Sequence, residues 1–211
     1  MGYTHYWYRT KTFTPAKFKA VVADFQKTLS VLEHLGVKLA GGGGEGQPII
    51  TNEEIRFNGL EKCGHVQRDL GITWPSDKAQ GVAPLILQHR NGNDSKANVD
   101  GNWFAGLTLD ARTCGGDCSH ETFLLTKSIR SHLGTPNEPQ ANGKYFDFCK
   151  TAYKPYDLAV NITLIIAKHH LGEQIVVSSD GELAQWKDSM TICQHFLGYG
   201  ADFKLKGDLE E

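Results

Sequence analysis

The sequence predicts one α+β domain, with a mixed, mostly antiparallel sheet and three main helices packed largely on one face. Three observations predict this class. Helix-type apolar periodicity recurs in three well-separated segments, and short β-favouring segments lie between them. The chain of 211 residues, 40% of them hydrophobic, is long enough to bury one core. We therefore assign residues 1–200 to a single domain, with a loop-rich elaboration at about 60–118, and residues 201–211 to a flexible tail.

The N-terminal segments carry the clearest local signals. Residues 3–9 read YTHYWYR, which favours a strand with alternate side chains on opposite faces. Thr14-Pro15 marks a helix start, and apolar residues spaced by three and four predict an amphipathic helix that ends at Gly36. In order, we then expect a strand at 37–40, a glycine-rich loop at 41–48, and a strand at 55–57 with Asn58-Gly59 as its turn.

The remaining elements follow from similar signals. Residues 60–118 predict loops and small hairpins, with strand candidates at 84–89 and 103–109, and residues 121–128 predict a better strand. Residues 145–148 are extended, and Pro155 opens a helix that is apolar nearly all round and therefore largely buried. A strand at 174–178 follows, and residues 179–181 cap a last helix that Gly198 closes.

Composition excludes several classes of protein. The net charge of −2 gives no general attraction to long nucleic acid or to an anionic membrane. No apolar run approaches the roughly 20 residues that span a bilayer, and the N-terminus lacks the pattern of a secretory signal. We expect a cytoplasmic protein, in the host cytoplasm if it is encoded by a phage. A homodimer is the default oligomer.

Zinc is the first chemistry to consider. The chain has five cysteines, an odd count that does not favour a disulfide framework. Cys63, Cys114, Cys118 and His120 are zinc-binding residue types, and zinc takes four such ligands. The familiar Cys-x₂-Cys spacing is absent, however. We therefore expect no cofactor, with zinc as the weaker alternative.

The second candidate chemistry is hydrolysis of a phosphoester. His120-Glu-Thr122-Phe matches the pattern H-x-[ST]-hydrophobic, two copies of which form the site of the 2H phosphoesterases. A second copy with both its histidine and its hydroxyl is absent. If the protein is an enzyme, we expect His120 as general acid or base, His5 as a second proton carrier and Thr122 on the phosphate.

Binding of a nucleotide-like molecule uses more of the chain. Lys150, Thr151 and Lys154 precede a helix N-terminus, where free N–H groups and the macrodipole favour an anion. Asp157 either caps those N–H groups, in competition with an anion, or accepts from a ribose hydroxyl. Aromatic residues of the first strand and of this helix are able to stack on a base. The expected ligand contacts are Thr4, Tyr6, Trp7, Asn58, Thr122, Lys150, Thr151, Lys154, Tyr156, Asp157, Ser178 and Asp180.

Several segments also carry a resemblance. The stretches MGYTHYW, LAGGGGEGQP, IRFNG, HETF, FDFCKTAYKPYD and VSSDG together resemble a family of small uncharacterised proteins of bacteriophages and bacteria. The resemblance implies a small cytoplasmic protein encoded by a phage. Phages carry small proteins that sequester or cleave the nucleotide messengers of bacterial defence systems. The leading hypothesis is thus an anti-defence sponge that holds an immune second messenger. The alternatives are a phosphoesterase that cleaves it and a protein–protein inhibitor of a host factor.

Overall fold

A computed structural model of the protein describes residues 3–63, 66–68, 71–73, 112, 116–129, 138–140 and 142–206. It confirms the α+β class, with three α-helices and antiparallel sheets in this part of the chain. The helices are α1 (Pro15–His34), α2 (Asp157–Leu171) and α3 (Lys187–Leu197). The strands are β1 (Thr4–Arg9), β2 (Leu39–Ala40), β3 (Ile49–Ile50), β4 (Glu54–Gly59), β5 (Val66–Arg68), β6 (Gly71–Thr73), β7 (Phe123–Thr126), β8 (Tyr145–Lys150) and β9 (Ile175–Ser179).

The first sheet has the order β8-β1-β9, and both pairings are antiparallel. The strand predicted at 3–9 is its central strand. His5, Trp7 and Arg9 point inward and are buried, while Tyr6 and Tyr8 lie on the outer face and are only partly covered. This alternation follows from the period of two along a strand. Helix α2 connects the two edge strands and packs against the inner face.

The second sheet contains β2, β4 and β3, with β7 also paired to β4. The prediction that Asn58-Gly59 forms a turn is wrong, because both residues continue β4 and pair with β2. A glycine is required at position 59 because the backbone of Cys118 lies very close to it. A Cβ atom on Gly59 would lie 1.9 Å from the carbonyl oxygen of Cys118, a distance that no real side chain tolerates.

Helix α1 agrees with its predicted bounds and buries one stripe of apolar side chains. The stripe includes Phe18, Val21, Phe25 and Leu32, and the ring of Phe25 lies 5.4 Å from that of Phe57 in the second sheet. Gly36 follows the helix with a φ of 78°. Such a left-handed residue at the end of a helix is the position that glycine favours.

Helix α2 is almost wholly buried, as its composition predicts, but it begins at Asp157 and not at Pro155. The hydrogen bonds from Asp157 N–H to Lys154 O and from Leu158 N–H to Pro155 O span three residues, so the chain enters through a tighter turn. Ala152 and Tyr153, just before it, have φ values of 51° and 54°. This turn aims the first helical side chain at the interior.

Helix α3 is preceded by a 3₁₀ turn over Leu183–Trp186, and Glu182 caps that turn through a capping box with Gln185. The prediction that residues 179–181 cap the helix is therefore wrong. Gly198 closes it with a φ of 81°, as predicted. Phe203 and Leu205 lie in the core, so ordered packing extends into the predicted tail, whose last residues lie outside the described part.

The loop-rich elaboration is described only in part. Strands β5 and β6 form a small hairpin within it. The strand candidates at 84–89 and 103–109 lie outside the described residues. In the part of the chain that the structure describes, no helix is long and apolar enough to cross a membrane.

Candidate functional site

The N-terminus of α2 is occupied by the carboxylate of Asp157, which has no exposed surface. Its Oδ1 accepts from His5 Nε2 at 2.7 Å and from the Thr151 hydroxyl at 2.6 Å. Its Oδ2 lies 3.2 Å from Arg112 Nε and 3.4 Å from the amide nitrogen of Asn161. Four side chains thus converge on one buried acid.

Arg112 extends this network to α3. Its NH1 lies 3.2 Å from Oδ2 of Asp188, and its side chain is nearly fully buried. Burial alone lowers the pKa of Arg112, but Asp157 and Asp188 outweigh it and hold the pKa above its usual value. Burial likewise opposes ionisation of Asp157, yet His5 and Arg112 hold the pKa of Asp157 below its usual value. Arg112 and Asp157 are therefore held in their charged forms as a buried pair.

This network closes the site predicted for a phosphate. An anion needs the free N–H groups of the helix end and a cavity in front of them, but Asp157 already brings a negative charge there. Thr151 is fully buried and donates to that carboxylate. The ammonium of Lys154 donates to the Asp117 carbonyl oxygen at 2.6 Å and lies 3.9 Å from its carboxylate. The geometry at this position therefore does not support phosphate binding by Thr151, Lys154 and Asp157.

His5 lies between two partners in an order that resembles a hydrolytic triad. Its Nδ1 is 3.0 Å from Ser179 Oγ, while its Nε2 contacts Asp157. The imidazole, however, has no exposed surface, and Arg112 shares the same carboxylate. Ser179 Oγ also accepts from the N–H of Gly181 at 3.0 Å. A proton carrier has to reach its substrate, so we interpret this series as part of the buried network.

Three other predicted contact residues are interior side chains with specific structural partners. Trp7 lies 5.3 Å from Phe123, ring to ring, inside the core. The Tyr156 hydroxyl donates to the Glu121 carbonyl oxygen at 2.7 Å. The Asn58 amide bonds both N–H and C=O of His120 at 3.0 Å and so fastens that loop to β4. All three are fully buried, and Thr4 is nearly so at 8% exposure.

The outer face of the first sheet has a different character. Tyr6 and Tyr8 of β1 lie there beside Phe146 and Phe148 of β8, and we call these four rings the aromatic face. Phe146 is 44% exposed and Phe148 is 49% exposed. The Phe146 ring lies 6.0 Å from that of Tyr6 and 5.9 Å from that of Phe148, with planes within 25° of parallel.

Polar groups border the aromatic face. Lys150 follows Phe148 by two positions on β8 and so shares its face. Its ammonium has no hydrogen-bond or ion-pair partner among the described residues. Lys206 Nζ lies 4.9 Å from the centre of the Tyr8 ring. The Tyr6 hydroxyl donates to Asp180 at 2.7 Å, and this bond raises the pKa of Tyr6.

Ser178 is the direct partner of Tyr6 across β1 and β9, so it belongs to the outer face. The structure therefore brings four of the predicted contact residues together on one surface: Tyr6, Lys150, Ser178 and Asp180. The other predicted contact residues lie in the interior or in the neighbouring loop. The surface that these four residues share is therefore the outer face of the first sheet and not the N-terminus of α2.

His120 lies beside the end of β8, whereas Thr122 lies against the glycine-rich loop. The His120 ring is exposed and its Nδ1 contacts the Lys150 carbonyl oxygen at 2.8 Å. Thr122 Oγ1 accepts from the N–H of Gly43 at 3.3 Å, so the glycine-rich loop packs against the start of β7. Gly43 has a φ of 76°, which only glycine adopts readily. The predicted catalytic pair thus consists of one accessible histidine and one buried one.

The cysteines give a partial answer on zinc. Cys63 and Cys118, which are far apart in the sequence, are buried together in a small cluster with Leu60. Cys114 lies outside the described residues. Within the described ranges, no group of three or more His, Cys, Asp or Glu side chains is arranged to hold a metal. The zinc alternative stays a prediction.

The sequence reasoning missed the two most exposed rings of the site, Phe146 and Phe148. The signal was present, since aromatic residues at alternate positions of a strand share one face. A separate shallow groove of about 250 Å³ is lined by Lys187, Met190, Thr191, Gln194 and Ala201. None of its lining residues is among the predicted contacts.

Comparison with protein-family models, with curated protein sequences and with solved structures finds no match to this chain. Its function is therefore inferred from the geometry of its own residues.

Proposed function

We propose that the protein binds a phosphorylated, nucleotide-derived small molecule on the aromatic face and holds it without cleaving it. The observation that carries this proposal is the pair of nearly half-exposed phenylalanine rings, Phe146 and Phe148, next to the ammonium of Lys150, which has no partner among the described residues. Aromatic rings on an open sheet face are a common platform for nucleobases.

The exposure of these rings is unfavourable for a sheet that faces only water. Full burial of a phenylalanine side chain is worth about 1.5 to 3 kcal/mol, and each ring forgoes part of that gain. A nucleobase recovers it, because stacking on an aromatic side chain is worth about 1 to 3 kcal/mol per base. The near-parallel rings of Tyr6 and Phe146 extend the flat surface toward β1.

Charge and hydrogen-bonding groups match the rest of a nucleotide. Lys150 and Lys206 place positive charge beside the rings, which suits phosphate. Ser178 and Asp180 offer a hydroxyl and a carboxylate to ribose hydroxyls or to base amino groups. The protein as a whole is slightly acidic, with a net charge of −2, so a small ligand fits better than a long nucleic acid.

We further propose that the protein is encoded by a phage, as the sequence motifs led us to expect. A phage protein that holds a nucleotide messenger intact would lower the concentration that reaches a bacterial defence effector. We therefore propose a sponge for such a messenger, acting in the cytoplasm of the host.

The test uses calorimetric titration with 5′-phosphorylated adenylyl-(3′,5′)-adenosine, followed by heat denaturation and chromatography of the released material. We expect binding and recovery of the intact dinucleotide. Phe148→Ala should weaken binding about 5- to 150-fold, the value of one stacked base. Phe196→Ala is the matched control, because Phe196 is 36% exposed but lies on α3. Equal loss in both variants would contradict the proposal.

A phosphoesterase is the second candidate, favoured by the exposed His120 ring against the Lys150 carbonyl oxygen. It predicts that the same incubation returns cleaved products and that His120→Ala abolishes cleavage with binding largely kept. Failure of every nucleotide to bind, with capture of a host protein instead, would favour the protein–protein inhibitor.

A further inference from the structure

We infer that the ligand carries two nucleobases, unstacked from each other and joined through phosphate. This inference rests on the proposed function and adds the class of ligand to it. The observation that supports it is the presence of two separate rings of similar exposure on one strand of the aromatic face, with Phe146 44% exposed and Phe148 49% exposed. A mononucleotide has one base and would use only one of them.

The separation of the rings sets the spacing of the bases. Residues two apart on a strand are about 6.6 Å apart along it, and the two ring centres lie 5.9 Å apart. Successive bases in a helical stack are about 3.4 Å apart. A ligand that covers both rings therefore has its bases drawn apart, as in an extended dinucleotide. Tyr6, at 6.0 Å from the Phe146 ring, widens the surface under one of the two positions.

The positions of the lysines agree with a ligand longer than a mononucleotide. Lys150 lies beyond Phe148 on β8, and Thr4 is its partner in the register. Lys206 lies over Tyr8, whose partner in the register is Phe146. The two ammonium groups thus border opposite ends of the aromatic face, and a molecule that meets both has to span the rings between them.

Hydrogen-bonding groups are concentrated at one end of the face. Asp180 and Ser178 border Tyr6 on the β9 side, so one base position has acceptors and a hydroxyl beside it. The Tyr6 ring lies 6.0 Å from that of Phe146, and the Tyr8 ring lies 5.4 Å from it, so these polar groups border the position over Phe146. That position is therefore able to select among bases.

The experiment compares adenosine monophosphate with 5′-phosphorylated adenylyl-(3′,5′)-adenosine by calorimetric titration. We expect the dinucleotide to bind about 5- to 150-fold more tightly, since one further base is stacked. Phe146→Ala and Phe148→Ala should each remove this advantage, whereas Phe196→Ala should retain it. Lys150→Ala gives a second measure that leaves both rings in place, and it should weaken both ligands.

The outcomes separate the two claims. If both ligands bind equally and Phe148→Ala weakens both, the proposed function stands and the two-base inference fails. If neither ligand binds the wild-type protein, the proposed function fails with it. A hexanucleotide that binds far more tightly than the dinucleotide would also overturn the inference, because the surface would then continue beyond two bases.

Discussion

Replacement of Asp157 by asparagine tests the buried network most directly. The change keeps the shape of the side chain and removes one negative charge from a position with no exposed surface. In the wild-type protein, the Asp157 carboxylate accepts from His5, Thr151, Arg112 and Asn161 at distances of 2.6 to 3.4 Å. An asparagine amide has one acceptor oxygen, and its NH₂ group would meet donors.

The expected loss follows from these contacts. Removing one partner of a buried ion pair costs about 3 to 5 kcal/mol, because the other charge stays buried without compensation. Arg112 retains Asp188 at 3.2 Å, so the lower end of that range applies. A loss of about 3 kcal/mol lowers the folding equilibrium constant by roughly 150-fold.

Urea denaturation followed by tryptophan fluorescence measures this loss. The matched control is Asp180→Asn, which changes an exposed carboxylate that accepts from the Tyr6 hydroxyl, and it should alter the free energy of unfolding by less than about 0.5 kcal/mol. A loss below about 1 kcal/mol for Asp157→Asn would refute the assignment of a paired, ionised interior. Folded Asp157→Asn should also keep its affinity for the dinucleotide, because the side chain lies inside the protein.

Two further substitutions test burial and close packing. Burial raises the pKa of Asp147 to about 6, so its stabilising contribution is complete below about pH 4 and lost as pH rises through 6. Between pH 4 and pH 7, the free energy of unfolding of Asp147→Asn should therefore rise by about 2 to 3 kcal/mol relative to that of wild type, as measured by urea denaturation. A difference between the two proteins that does not change with pH would contradict this. Gly59→Ala should lose about 2 to 4 kcal/mol, because its Cβ meets the Cys118 carbonyl oxygen. Gly42→Ala, with its nearest atoms 3.9 Å away, is the control and should stay near wild type in the same thermal melt.

Local signals predicted most of the elements around the site. The proline after Thr14 and the glycine at 36 mark the ends of α1, because each residue favours the backbone geometry found there. The alternation along β1 placed Tyr6 and Trp7 on opposite faces, as observed. These features depend on neighbours within a few positions, so the sequence contains them.

The site itself was predicted only in part, and Asp157 shows why. An aspartate near a helix start suits several roles, since it can cap N–H groups, accept from a ribose hydroxyl of a ligand or pair internally. The choice depends on His5, Arg112 and Thr151, which reach it from other elements of the fold. Sequence spacing does not specify such convergence.

What the sequence determined by itself is the α+β class, the presence of a strand at 3–9, the bounds of α1 and the apolar character of α2. What only the tertiary structure decided is which face of each strand is covered. A period of two defines two faces for β8 but does not say which one receives the helices. Packing of α2 against the inner face left Phe146 and Phe148 exposed and enclosed Asp157, because burial depends on partners that are distant in the chain.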